Sequence, residues 1–409
     1  MINEAERLKE IIRFDTELST VHDLDIMLER ILTEARKITS ADAGSIYIKD
    51  GEDLVFSYAQ NETMQKLLPR GQKLIYLTFR VNINTESIAG YVATTGETLN
   101  IPDVYRTPEE SPCHFDSSYD RVSNYKTTSM LTVPLNNNRG VVIGILQLIN
   151  KHDEEMKVVS FDSEDEIVCL HFASTASMAL QRAILTRALL LRMIAMAELR
   201  DPSETGPHVN RVASYATEIY EQWAQKRNIP QEDINKVRDV FRMAAMVHDV
   251  GKVAISDMIL KKPGKLTEKE RSIMKGHAYL GAQLFIDKQS EFDEVASQAA
   301  LRHHENWDGT GYPGYIDVKT GKPIETDTHG NAVPLKGEEI PIFGRIVAIA
   351  DVYDALRSKR AYKEAWPEDD VQREIKKLSG QKFDPEVVEA FFGCIDILKS
   401  ISHRYPDSE

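Results

Sequence analysis

The sequence predicts a multidomain protein: an α+β first half with an antiparallel sheet and flanking helices, a long linker helix, and an all-α second half. Three observations carry this. From residue 44 to about residue 150, short β-rich runs are parted by Gly, Asn and Asp. From Ser163 to Arg200 there is neither Pro nor Gly. After Asp201–Pro202 apolar residues recur at helical spacing almost to the end.

The elements follow in order. "LDIMLERILTEARKIT" (24–39) repeats apolar residues three and four apart, so residues 1–40 read as helical. "GSIYIKD", "DLVFSYA", "QKLIYLTF", "TSMLTVPL" and "VVIGILQLIN" read as strands. The apolar positions Ile167, Leu170, Phe172, Ala176, Leu180, Ile184, Leu189 and Ile194 make 163–200 one helix. At roughly 35 residues it exceeds most globular helices. It either pairs with a second copy as a coiled coil or lies on its own domain. Residues 305–341, rich in Gly, Pro, Asp and Thr, read as a long loop or small hairpin. The expected domains are 1–162, the linker 163–200, and 201–409.

Composition narrows the function classes. The 409 residues are 42% hydrophobic and 28% charged, an ordinary globular balance. A net charge of −14 argues against DNA and against an anionic membrane surface. Cys113, Cys169 and Cys394 form no CxxC pair, so neither a disulfide framework nor a cysteine–zinc site is indicated. "MINEAERLKE" is no signal peptide, and the longest apolar stretch, "ALLLRMIAMA" (188–197), is short and broken by Arg192. A cytoplasmic protein is the expectation.

The second half holds the chemistry. Five of the eleven His lie between 208 and 304: His208, His248, His277, His303 and His304. Acidic residues stand beside them: Glu204 four before His208, Asp249 after His248, Glu305 after His304. Gly206 and Pro207 make the segment around Glu204 read as a loop, and Gly251 reads as the stop of the helix that ends in His248–Asp249. Asp351 closes the apolar run "IVAIA" (346–350). A buried carboxylate costs several kcal/mol unless paired, and a cation supplies the pairing. Imidazoles and carboxylates brought together from several helices suit Fe, Mn, Zn, Ni or Co and are poor for Ca or Mg. A carboxylate such as Asp249 bridges two cations readily, and two bridged cations activate water and clamp a phosphoryl group.

"HDVGK" (248–252), "HHENWDGTGYP" (303–313) and "IPIFGRIVAIADVYDALRSKRAYK" (340–363) resemble the HD-GYP family of HD metal phosphohydrolases. The resemblance spans most of 198–395. It implies hydrolysis of cyclic di-GMP to the linear dinucleotide pGpG and in some members to GMP, by a metal-bound hydroxide. Some members take the mixed GMP–AMP cyclic dinucleotide. It implies the metal ligands His208, His248, Asp249, His277, His303, His304 and Asp351, with Glu204 for a third metal. Two or three divalent transition metals follow, iron first and manganese next. Asp249 and Lys252 take catalytic roles, and Lys252, Tyr312, Arg360 and Lys363 contact substrate. The chain departs from the pattern in an insertion at 314–341, in which His329 reads as a surface residue, and in "RSKRAYK" (357–363), which carries extra positive charge.

The first half resembles a GAF domain through "ILTEARKITSADAGSIYI" (31–48), "YKTTSMLTVPL" (125–135) and "VIGILQLINK" (142–151). Asn150–Lys151, Phe161 and Asp165–Glu166 match a spacing found in GAF domains that bind cyclic nucleotides. An ion pair between Lys151 and Asp165 with Phe161 beneath is the expectation. The resemblance leaves open a cyclic nucleotide, another small ligand, or a purely dimerising role. Two function classes stand: a phosphodiesterase regulated by its GAF domain, working as a homodimer through that domain and the linker; or a cyclic-dinucleotide or redox sensor with little turnover. A different HD phosphohydrolase is a lesser third.

Overall fold

The computed structural model describes residues 13, 18, 21–69, 79–108, 110–198, 206–358 and 365–406. They form two compact units, 1–187 and 188–409.

In the first unit α1 (Leu24–Thr39) starts where the Asp23 carboxylate accepts from the backbone N–H of Asp25 and Ile26. It stops at Ser40, whose φ of 57° is left-handed. Then come β1 (Ala41–Asp50), β2 (Asp53–Asn61), α2 (Glu62–Lys66), β3 (Arg80–Asn82), α3 (Ile88–Thr95), β4 (Leu99–Ile101), α4 (Ser118–Ser123), β5 (Met130–Asn136), β6 (Val142–His152) and β7 (Val158–Val159). The sheet is antiparallel throughout, ordered β3-β2-β1-β6-β5-β4, with β7 also pairing β6. Four expected strand runs correspond to β1, β2, β5 and β6; most of "QKLIYLTF" lies outside the described residues.

Alternation decides the two faces of the sheet. Ile46, Leu131, Val133, Leu146 and Leu148 pack against Met27, Leu28, Ile31 and Leu32 of α1. Burying each such side chain stabilises by about 1.5–3 kcal/mol. The opposite face carries Tyr47, Ile145 and Val92, with Phe56 and Phe79 stacked at 4.5 Å. The Lys151–Asp165 ion pair forms as expected, Phe161 is buried, and the Asn100 amide donates to Phe161 O and Glu166.

The long helix α5 runs Ser163–Glu198. Its early turns insert Cys169, Phe172, Ala173, Ala176, Leu180 and Ala183 into the core of the first unit. Ile194 belongs to the core of the second. The division between the units therefore falls inside the helix, at 187–188, because packing and not helix continuity defines it. Ile167, Leu170, Met178, Leu185, Leu189, Met193 and Met196 remain exposed. By length and mean hydropathy alone Ser163–Met196 passes as long and apolar enough to cross a membrane, although no unbroken run of 18 apolar residues occurs in it. Much of its apolar surface fills a core.

The second unit is helical: α6 (Gly206–Lys226), α7 (Gln231–Met246), α8 (Asp257–Leu260), α9 (Glu268–Lys275), α10 (His277–Gln283), α11 (Glu291–Arg302), α12 (Ile342–Arg357), α13 (Glu368–Lys377), α14 (Pro385–Gly393) and α15 (Ile395–Arg404). Ala244, Ala245, Ala296, Ala299, Ala348 and Ala350 are buried where α7, α11 and α12 meet; such small residues let helix axes approach. The 314–341 insertion is a folded hairpin: β8 (Ile316–Asp317) pairs β9 (Lys322–Pro323). Ile316 packs against Ala282 and Leu301, with Tyr279, Val318 and Ala332 around them, and Gln283 donates to the carbonyls of Val318 and Lys319. His329 is exposed.

Candidate metal centre

Helix ends bring the imidazoles together. His208 sits in the first turn of α6, so the chain is helical from Gly206 onward rather than the expected loop; the part of that segment around Glu204 lies outside the described residues. His248 and Asp249 follow the last turn of α7, His277 opens α10, and His303–His304 follow α11. Asp351 lies within α12. Helix α7 ends at Met246, so Gly251 is not its stop. Gly251 is small for another reason: a Cβ there would lie 2.0 Å from His277 O and 2.3 Å from Gly281 N.

The last carbonyls of a helix have no intrahelical partner, and three His use such groups. The Nδ1 of His248 lies 2.8 Å from Ala245 O, that of His277 2.7 Å from Met274 O, and that of His303 2.9 Å from Ala300 O. A carbonyl only accepts, so the ring proton is on Nδ1 and a neutral ring turns an Nε2 lone pair inward. For His208 the same task falls to Asp354, 2.8 Å from Nδ1.

These lone pairs point at carboxylates. Asp249 Oδ1 lies 3.0 Å from His277 Nε2 and 3.4 Å from His303 Nε2; its Oδ2 lies 3.5 Å from His248 Nε2. His277 and His303 present their Nε2 atoms to each other at 3.4 Å. His208 Nε2 lies 3.9 Å from Asp351 Oδ1. The Nε2 of His248 is buried without a hydrogen bond. Acceptors facing acceptors in a buried pocket repel unless a cation lies among them. The ligand atoms of Asp249, His277, His303 and His304 all fall within 4.8 Å of one another, as do those of His208, His248 and Asp351. Asp249 turns one oxygen toward each group. The donors thus fit divalent transition metals.

The surrounding charges agree. Burial pushes His303 and His304 below the ordinary imidazole range, which keeps them neutral. Burial opposes charge on Asp249, but Lys252 and His248 outweigh it and hold the carboxyl well below its ordinary range. For His277 burial is outweighed by Asp249, which raises the pKa of that ring; a cation among the donors would take the place of a proton on its Nε2. Lys252 Nζ lies 2.9 Å from Asp249 Oδ2. The Tyr312 ring stacks on His304 at 4.7 Å, and Lys275 Nζ lies 4.8 Å from the Tyr312 centroid. Glu204, Arg360 and Lys363 lie outside the described residues. Glu305 joins neither group; it accepts from Gly314 N and Arg302 and so pins the 305–314 loop.

Sequence reasoning missed Asp354. It lies one turn beyond Asp351 on α12 and holds both His208 and Arg211, whose Nε is 2.5 Å from Asp354 Oδ1. The i, i+3 spacing from Asp351 was the available signal. A carboxylate behind a ligand His fixes its tautomer and ring orientation. Asp354→Asn is expected to lower metal affinity about 10–100-fold. Metal titration of the chelator-stripped variant checks this; unchanged affinity contradicts the role.

Comparison with known proteins agrees with the geometry. A GAF domain model matches residues 23–180, and HD domain models match 205–356 and 326–387. A cyclic di-GMP phosphodiesterase of Vibrio cholerae is 38% identical over 224 residues, covering 54% of this chain and 42% of that protein. The 3'3'-cGAMP-specific phosphodiesterase 2 of Vibrio cholerae is 38% identical, covering 50% and 34%. A cyclic di-GMP phosphodiesterase of Thermotoga maritima is 36% identical, covering 52% and 50%. The chain thus spans half or less of the length of these relatives. A GAF domain model and an HD domain model match successive parts of the chain, and every described candidate ligand lies in the part matched by the HD model.

Proposed function

We propose that the chain hydrolyses cyclic di-GMP to linear pGpG, with GMP as the alternative end product, at a metal centre built on Asp249. The convergence of unprotonated ring nitrogens on Asp249 and Asp351 carries this reading, and the relatives named for cyclic-dinucleotide phosphodiesterase activity support its substrate class. The donor set suits iron first and manganese next, as two ions or, with Glu204, three. When bound, such cations lower the pKa of a coordinated water and stabilise charge building on a phosphoryl group.

The chain's own residues do the rest. Asp249 faces both ligand groups and orients them about a common point. Lys252 holds positive charge against Asp249, beside the place a phosphate would occupy. Tyr312 covers one face of His304 and shields it from water. Arg360 and Lys363 complete the phosphate contacts in this reading. The GAF domain regulates turnover and takes a small ligand, a cyclic nucleotide first. A second copy pairs along the exposed apolar residues of α5, and the protein is cytoplasmic.

The test is product analysis. Protein purified without oxygen and loaded with iron or manganese is incubated separately with cyclic di-GMP and 3'3'-cGAMP. We expect linear dinucleotide from cyclic di-GMP. His303→Ala should lose turnover by about 10²-fold or more, some 2.7 kcal/mol of barrier, while melting close to the wild type. Binding without product would overturn the proposal in favour of a sensor.

A further inference from the structure

We infer that Lys382 is an anion-binding residue of this same pocket, its ammonium taking a non-bridging phosphate oxygen of the substrate. The inference rests on the phosphodiesterase reading and adds a contact to it.

Lys382 lies in the turn between α13 and α14, far in sequence from every ligand. Its backbone is fastened on both sides. Trp307 N donates to Lys382 O at 3.1 Å, and Asp308 N donates to Gln381 O at 2.8 Å. Gly380 N donates to Phe383 O at 2.8 Å, and Phe383 is buried in the core. The turn is thereby laced to the chain that leaves His303–His304, which holds the Lys382 backbone beside it.

The side chain is half-buried, within electrostatic reach of Asp351 and His304, one residue from each ligand group. Asp351, His304 and Asp249 are less buried than His208, His248, His277 and His303, so they mark the more open side of the centre. Lys382 therefore stands at its mouth.

Lys275 lies over the Tyr312 ring, and several other cations of this unit are paired with carboxylates. Lys252 pairs with Asp249, Arg211 with Asp354, Arg302 with Glu305, Arg345 with Asp384 and Arg357 with Glu368. The Lys382 ammonium makes no hydrogen bond and no ion pair among the described residues. Partial burial of an unpaired ammonium is unfavourable. Burial depresses its pKa, and the Asp351 charge only partly compensates. A compact cation held at the rim of a metal pocket without a partner is suited to a phosphate arriving from solvent. In a chain of net charge −14, local cations must supply the attraction for a doubly anionic substrate.

The test compares wild type, Lys382→Gln and Lys382→Arg in the full chain. KM and kcat for cyclic di-GMP are measured with metal content by elemental analysis, and the affinity of each metal-loaded protein for inorganic phosphate is measured by calorimetry. We expect Lys382→Gln to raise KM and weaken phosphate binding by about tenfold to a hundredfold. Metal content should be unchanged, and Lys382→Arg should recover most of the loss. KM and phosphate affinity within about twofold of wild type would overturn the assignment. A fall in metal content would also overturn it, since Lys382 would then be supporting the ligand shell. Should wild-type protein fail to cleave cyclic di-GMP, the phosphodiesterase reading falls, yet the phosphate measurement still decides the role of Lys382.

Discussion

Asp249→Asn should abolish turnover and empty both ligand groups. Asn preserves size but removes the charge, and an amide is a poor bridge between cations. Because one Asp249 oxygen faces His277 and His303 and the other faces His248, the loss reaches both groups at once. We expect kcat to fall by about 10³-fold or more, equivalent to some 4 kcal/mol of barrier. Elemental analysis after purification should find the bound metal lost from both groups. His208→Ala gives the contrast, since it removes a ligand from the second group alone. Full metal content in Asp249→Asn would rule out its place between two cations.

Gly251→Ala should damage the same centre from behind. Its Cβ would meet His277 O at 2.0 Å and Gly281 N at 2.3 Å, and both are backbone atoms that cannot swing aside. The 250–254 turn or the start of α10 must move, and each carries or adjoins a ligand. Overpacking of this severity costs about 3 kcal/mol or more. For a domain of this size that is a fall in Tm of about 6–12 °C. Thermal melting of the metal-free protein checks it without recourse to activity. A Tm unchanged by the added methyl would show that the contact relaxes freely.

Much of this was legible in the sequence because it rests on local signals. The apolar repeat of 24–39 is α1 to the residue. Alternation and turn residues located the four long strands, whereas β3, β4 and β7 are too short to show a period. The Lys151–Asp165 pair was implied by the GAF resemblance, and it forms. Imidazoles beside carboxylates pointed to a metal site and the HD-GYP resemblance supplied the full candidate set, whose donor atoms fall into two groups: Asp249, His277, His303 and His304, and His208, His248 and Asp351. What escaped depends on tertiary partners. Asp354 reads as an ordinary polar residue of a helix until His208 and Arg211 arrive from α6. Lys382 stands far along the chain from the His it approaches. Gly251 looked like a helix stop, and only the backbone of His277 and Gly281 explains it.

The dual allegiance of α5 bears on how the protein can be dissected. A fragment ended at residue 162 would keep every strand yet strip Phe172, Ala176 and Leu180 from the interior they fill. Water would enter a groove lined by α1, and the truncated piece would be prone to aggregate. Severing near 187–188 leaves each half its own apolar filling.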